Sequence, residues 1–368
     1  MQRRKFLTGT GAGLIAGAAA LPALTSAQSA ALPNVKWRLT SSFPKSLDTI
    51  HGCTELLAKR VAAATGGKFE IRVFAANEIV PALAALDAAQ KGTVECAHSA
   101  AYYYYGKDPA FAFGCTVPFG MNTRQQNAWM YHGGGMELMR EFYRTYDVIN
   151  LPAGNTGAQM GGWFNKEINT VADLKGLKFR VGGFAGRVLS KLGVIPQQIA
   201  APDIYPSLEK HTIDAAEWVG PYDDEKLGLN KVAKFYYYPG WWEGNAQLDL
   251  FVNAKAWEAL PSEYKAILEA ACAETNLTML AKYDAVNPAA LKRLYASGTK
   301  LRPFSPAILS ACYQAAEEVY AEESAKNPAF KKIYTPWKAF RDEQIQWFRV
   351  CEQNFDSFMA TSGSRRKS

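Results

Sequence analysis

Two carboxylates in this chain each sit beside a tryptophan, Glu217–Trp218 and Trp242–Glu243, within the stretch Asp214–Gln247. Short apolar or aromatic runs precede them, Ile213–Ala216 and Phe235–Trp242, so strands are expected there, with the glutamates at strand ends or on the loops beyond. Open α/β folds bind ligands at strand ends. A carboxylate among aromatic rings is costly to keep ionised and unpaired, so this arrangement asks for something cationic between the two. The alternative is two separate pairs, each glutamate meeting a surface lysine such as Lys226 or Lys231. Three further groups stand out by type and place. Arg180 falls near the end of an expected strand, Leu177–Val181, and Gln159 is the one long amide in the glycine-rich Gly154–Phe164. Four consecutive tyrosines, Tyr102–Tyr105, follow a third expected strand. Alternate members could pack a core as a strand does, or one or two hydroxyls could donate to an oxyanion.

Other chemistries find no support. There is no G-x-S-x-G elbow, no H-E-x-x-H, no phosphate loop, and no G-x-G-x-x-G opening a helix. His51, His98, His132 and His211 are scattered, which disfavours zinc and copper. Cys53, Cys96, Cys115, Cys272, Cys312 and Cys351 are widely spaced without a C-x-x-C pair, so buried single thiols are expected, with a disulfide left open in an oxidising compartment.

The positioning elements follow from periodicity. Val35–Thr40 alternates as a strand, Thr49–Ala64 has helical spacing and stops at Gly66-Gly67, Phe69–Val73 alternates again, Val80–Lys91 is helical, and Val94–His98 reads as a strand. That order is the pattern of a doubly wound α/β lobe. Arg124–Tyr146 is mostly helical and interrupted at Gly133-Gly134-Gly135. A second α/β pattern runs through Gly154–Gln247, a long helix over Ala259–Leu294, and terminal helices over Pro306–Ser324 and Pro336–Phe358. The last carries Trp337, Phe340, Ile345, Trp347, Phe348 and Val350 on more than one face, so it must be buried against the body or a second chain.

Residues 1–31 read as an export signal: Arg3-Arg4-Lys5, a Gly/Ala-rich apolar run to about Leu24, then small residues. The paired arginines resemble a twin-arginine signal, and an ordinary secretory signal is the alternative. No later segment is apolar for long enough to span a bilayer. Setting aside three basic residues at each terminus reduces the net charge of +7 to near +1, which does not indicate nucleic-acid binding.

The run Asp173-Leu-Lys-Gly-Leu-Lys-Phe-Arg-Val-Gly-Gly183, followed by Ile204-Tyr-Pro-Ser-Leu-Glu209 and Ile213-Asp-Ala-Ala-Glu217, resembles the solute receptors of tripartite ATP-independent periplasmic (TRAP) transporters. Lys107–Phe113, Ala215–Asp224 and Pro239–Gly244 resemble the branch that binds 2-oxo acids, or related 2-hydroxy monocarboxylates, with a metal ion. The resemblance covers essentially the whole chain after the signal. It implies an α/β, two-lobed periplasmic binding protein fold with a cleft between the lobes. Residues 32–153, with part of 248–295, would form the first lobe and 154–247 the second. A long interlobe helix would span 259–295, and residues 296–368 would be a C-terminal helical extension and dimerisation element. It also implies that Arg180 holds the substrate carboxylate, that Gln159, Glu217, Glu243 and the Trp218 carbonyl coordinate the cation, and that Tyr103 or Tyr104 bonds the ligand.

Charge supports this independently: two glutamates, one arginine and a monocarboxylate sum to −2 and would repel the ligand unless a cation joined them. Sodium is favoured and calcium also fits an all-oxygen shell. The partners implied are a 2-oxo acid such as pyruvate, the membrane permease, and a second copy through the C-terminal helix. One departure is His211, where most members of the resembled family would have glycine; if that position needs positive φ, histidine strains the turn there and leaves the site unaffected. The rivals are a lactate-type or dicarboxylate receptor and a periplasmic metal-dependent enzyme acting on oxo acids. A dicarboxylate needs a second cationic anchor, and Arg187, the nearby candidate, is expected on a helix facing solvent.

Overall fold

The computed structural model describes residues 32–362, so the expected signal at 1–31 and the basic end of the chain lie outside the described residues. Eleven strands are described: β1 (Val35–Ser41), β2 (Phe69–Phe74), β3 (Cys96–Ser99), β4 (Val148–Asn155), β5 (Gly162–Phe164), β6 (Lys178–Arg180), β7 (Ile195–Gln197), β8 (Ala215–Ala216), β9 (Phe235–Tyr238), β10 (Gln247–Asn253) and β11 (Lys300–Pro303). They form two mixed sheets, ordered β2-β1-β3-β10-β4 and β11-β9-β5-β8-β6-β7. In the first, β1, β2 and β3 are parallel and β10 runs antiparallel to both neighbours. In the second, β5 is the antiparallel member, between β8 and β9. This is the α/β architecture expected. The chain returns to the first sheet at β10 and to the second at β11, so Lys300–Pro303 corrects the expectation that 296 onward is all helix.

Local rules explain most boundaries. Helix Ile50–Ala64 stops where Gly66 and Gly67 adopt φ of 59° and 78°, and helix Thr123–His132 starts with a reciprocal capping box between Asn122 and Gln125. The long helix spans Ser262–Ala296, 35 residues. His211 has φ of 54°, so the turn before β8 does hold a non-glycine residue in the left-handed region. All six cysteines are free and five are buried.

Several boundaries differ. The tyrosine run makes no strand: Ala101–Tyr104 is a 3-10 helix. The strand expected over Phe235–Trp242 ends at Tyr238, because Pro239 brings no N–H to extend a ladder. The last helices are Pro328–Val350, capped by Asn327, and Glu352–Ser362. Phe330, Ile333, Trp337 and Arg341 are buried against the body, where Phe330, Tyr334 and Trp337 pack on Tyr320, and Phe330 also stacks on Phe184. Beyond them Ile345, Trp347, Val350, Phe355, Phe358 and Met359 are exposed.

The first sheet encloses a polar group outside any strand end. Asp249 on β10 is fully buried and accepts from Gln247 Nε2 at 2.9 Å. Burial pushes its carboxyl up to about 7, against the opposing effects of Gln247, Asn150, Tyr143 and the Arg140 charge. A carboxyl raised in the folded state contributes stability that is complete below its unfolded pKa and is lost as pH rises toward the folded one. Asp249→Asn, which mimics the protonated form, should therefore gain about 1–3 kcal/mol relative to the wild type between pH 4 and 8 and level off above 7. Urea midpoints of both proteins across that range check this; a difference independent of pH would refute it.

Candidate functional site

Parallel pairing of β6 with β8 sets Arg180 opposite Ala216, which brings its guanidinium beside the residue leaving β8, Glu217. Nη1 of Arg180 donates to Glu217 Oε1 at 2.5 Å and to the Glu217 carbonyl at 2.6 Å, while Nε donates to the Ile199 carbonyl at 3.0 Å. The Trp218 ring lies 5.1 Å from the guanidinium carbon. Glu217 Oε1 also accepts from the Gly182 N–H at 2.8 Å. The two side chains are 1% and 0% exposed, and each keeps one buried atom without a partner, Arg180 Nη2 and Glu217 Oε2.

Glu243 follows β9 on a tight turn. Its N–H donates to the Gly240 carbonyl at 2.9 Å, its carbonyl accepts from the Gln159 N–H at 3.0 Å, and the Gly240 N–H donates to the Gln159 carbonyl at 3.0 Å. The approach is so close that a Cβ on Gly240 would stand 2.7 Å from the Met160 carbonyl oxygen, so glycine is required. The Gln159 amide nitrogen donates to Thr156 Oγ1 at 3.0 Å, which orients its oxygen. Gln159 Oε1 and Glu243 Oε2 are buried without partners.

Beside these groups lies a small cavity. Tyr102, Tyr103, Thr156, Gln159 and Trp218 form its polar side, and Phe43, Ile50, Ala100, Val219, Ala246 and Leu248 its apolar side. The 3-10 helix separates the tyrosines. Tyr103 faces the cavity, but Tyr104 does not: its hydroxyl donates to Ser99 Oγ at 2.9 Å and accepts from the Leu86 N–H at 3.0 Å, inside the first sheet's core. Tyr104 is therefore a packing residue, and Tyr102, which the sequence left undistinguished within the run, lines the cavity beside Tyr103. The Tyr102 ring covers Gly182 and Gly183, where an added Cβ would come within 2.6 Å of its atoms. Two glycines directly after Arg180-Val181 were the available signal for a large ring there. Thr156 was also missed and has no such signal.

Neither glutamate pairs with a lysine among the described residues. Lys226 meets Asp48 instead. Arg187 pairs with Glu322 at 2.9 Å and is 40% exposed, so it is no second anchor. One guanidinium thus faces two carboxylates. Burial raises Glu217, with Arg180 and the Gly182 N–H opposing. Burial and then the Glu217 charge hold Glu243 well above the usual carboxylate range, with Arg180 and Tyr102 opposing.

The unmade bonds state what the site can take. Glu217 Oε2, Glu243 Oε2 and Gln159 Oε1 are buried oxygens lacking a donor or cation, a set that suits a hard cation. Arg180 Nη2 and the Trp218 indole N–H are buried donors lacking an acceptor, a set that suits an anion. No cluster of three or more His, Cys, Asp or Glu gathers among the described residues, so a cation here depends on amide and carbonyl oxygens as well.

Comparison with known proteins gives concordant matches. The family model described as bacterial extracellular solute-binding protein, family 7, matches residues 40–327. A monocarboxylate 2-oxoacid-binding periplasmic protein of Nostoc sp. is 55% identical over 338 residues, 92% of this chain and 93% of the relative. A TRAP transporter solute-binding protein of Bordetella bronchiseptica, a mixed-occupancy dimer with copurified calcium and picolinate, superposes with a TM-score of 0.90 at 53% identity, covering 91% of this chain and 99% of that one. A TRAP solute-binding protein of Pseudoalteromonas atlantica with bound sodium and pyruvate superposes with a TM-score of 0.86 at 40% identity, covering 88% and 99%.

The separation of the tyrosines is testable without a ligand. Tyr104→Phe should cost about 1–3 kcal/mol in urea denaturation, because the buried Leu86 N–H loses its acceptor, and Tyr103→Phe should cost less. Equal losses would contradict the assignment.

Proposed function

The chain belongs to bacterial extracellular solute-binding protein family 7, and on that premise we propose that it is the extracytoplasmic solute receptor of a TRAP transporter. It binds a 2-oxo monocarboxylate such as pyruvate together with a metal cation and delivers it to the membrane permease. The observation that carries this reading is the buried set of unmade bonds, three oxygens and a guanidinium nitrogen beside one small cavity.

Arg180 is held by Ile199 and Glu217 so that Nη2 is left for the ligand carboxylate, a charged hydrogen bond of about 1.5–3 kcal/mol. Glu217, Glu243, Gln159 and the Trp218 carbonyl would hold the cation, which supplies the positive charge that two glutamates, one arginine and an anionic ligand otherwise lack. A 2-oxo acid offers a carboxylate and an adjacent oxygen at chelating separation. Picolinate and pyruvate, bound in the two relatives, share that pattern of adjacent donors. Tyr103 would bond the ligand, and Phe43, Ile50 and Leu248 would pack its alkyl end. A dicarboxylate is disfavoured because Arg187 is engaged with Glu322. The protein performs no chemical step in this reading.

It works in the periplasm, exported by the signal at residues 1–31, and no helix among the described residues is long and apolar enough to cross a membrane. A second copy would cover the exposed apolar end of the C-terminal helices; a dimer is the state of the Bordetella relative.

Calorimetric titration of ligand-stripped protein with pyruvate and 2-oxobutyrate, before and after chelation in sodium-free buffer, tests the reading. Binding should require the cation. Arg180→Ala should weaken it about 10–100-fold or more, and Glu243→Gln should raise the cation concentration needed. Binding indifferent to cation and to Glu243 would make the glutamates structural, and turnover of the oxo acid would overturn the receptor assignment. Truncation after Glu343, which spares buried Trp337 and Arg341, should convert a dimer to a monomer in sedimentation. A monomeric full-length protein would refute the second-copy role.

A further inference from the structure

Asp224 lies one helical turn beyond the site, on helix Pro221–Lys226, and is 1% exposed. Its Oδ1 accepts from the Val219 N–H at 3.2 Å and the Gly220 N–H at 3.1 Å. Its Oδ2 accepts from Trp163 Nε1 at 2.9 Å and the Tyr236 hydroxyl at 2.7 Å. Those two donors form a rigid platform: Trp163 and Tyr236 are register partners on β5 and β9, with rings stacked at 4.0 Å and 16°. Four donors converge on one carboxylate, and two of them belong to the turn that carries Trp218.

We propose that Asp224 is a positioning residue for the cation, fixing and polarising the Trp218–Val219 peptide so that the Trp218 carbonyl is presented as a ligand. This rests on the cation-dependent reading of the site given above. A trans peptide is planar, with its carbonyl and N–H pointing in opposite directions, and the only cis bond among the described residues is Tyr238–Pro239. Holding the Val219 N–H on Asp224 therefore turns the Trp218 carbonyl the other way. The flanking carbonyls have other duties: that of Glu217 accepts from Arg180 and that of Val219 accepts from the Met160 N–H at 3.1 Å. An acceptor held on the N–H side draws electron density toward the carbonyl oxygen of the same amide, which strengthens it as a ligand for a hard cation. Outer partners of this kind commonly change metal affinity 10–100-fold.

The neighbouring residue supplies the control. Asp223 is equally buried, but it accepts from Thr49 Oγ1 and the Tyr283 hydroxyl, both at 2.6 Å, and its side chain bonds no peptide of the 217–220 turn. Asp224→Asn should raise the cation midpoint at saturating pyruvate by about 10–100-fold, whereas Asp223→Asn should lower thermal stability and leave that midpoint within about twofold. A second readout needs no variant. Trp218–Val219 is the one Trp–Val pair in the chain, so carbonyl-13C tryptophan with 15N valine isolates this peptide in an NMR spectrum. Its carbonyl resonance should shift when calcium or sodium and pyruvate are added. A wild type that needs the cation while Asp224→Asn keeps its midpoint, or a carbonyl resonance that stays in place on loading, overturns the inference alone. A wild type that binds pyruvate without regard to cation overturns the underlying reading and this inference with it.

Discussion

The structure turns on a buried ion pair that is only half satisfied. Arg180 and Glu217 are fully desolvated, a state costing several kcal/mol per ion unless every donor and acceptor finds a partner. Here one nitrogen and one oxygen do not. A second carboxylate, Glu243, shares the same guanidinium, and in the protein alone burial and the Glu217 charge hold it well above the usual carboxylate range. Natural interiors rarely keep such a debt. A cation and an anionic ligand together resolve both halves of it, which ties recognition of the solute to recognition of the ion.

Holding that pair in place occupies much of the surrounding sequence. The Arg180 end of β6 and the Glu217 end of β8 are adjacent by register. Gly182 and Gly183 admit the Tyr102 ring. The Gln159–Gly240–Glu243 backbone ladder draws two distant loops together. Around the rim, Asp48 is held at a pKa of about 2, burial opposing, by hydrogen bonds and charge from Lys226 and Lys282; with all its partners partly exposed, this contact contributes modestly to stability. Directly below it, Thr49, Asp223 and Tyr283 repeat the same connection in the buried layer. Both layers tie the Asp48–Thr49 turn, directly before Ile50, to the helix that follows Val219, and Ile50 and Val219 both line the cavity.

The C-terminal helices divide into two environments. Tyr320 and Phe330 stack with Phe184, at the start of the helix after Gly182, and Tyr334 and Trp337 stack on Tyr320. The body therefore covers the near half of the last long helix. Past Arg341 the side chains of Ile345, Trp347 and Val350 are exposed, so burial against the body, one of the two readings from sequence, holds for the near half alone.

The sequence by itself determined what is local in cause. Alternation and glycine stops marked most elements, and Glu217 and Glu243 stood out because carboxylates beside aromatic runs demand partners, whereas the roles of Arg180 and Gln159 came from the family resemblance alone. Tertiary structure decided what depends on direction and distance. Four tyrosines in a row are chemically alike, and only the 3-10 turn sends Tyr103 to the cavity and Tyr104 to Ser99 and Leu86. That Glu217 meets Arg180 rather than Lys226 follows from parallel pairing of two short strands separated by some thirty-five residues. The role of Asp224 was invisible in sequence for a similar reason: its donors come from β5, β9 and its own turn, and only the packed sheet brings them to one carboxylate.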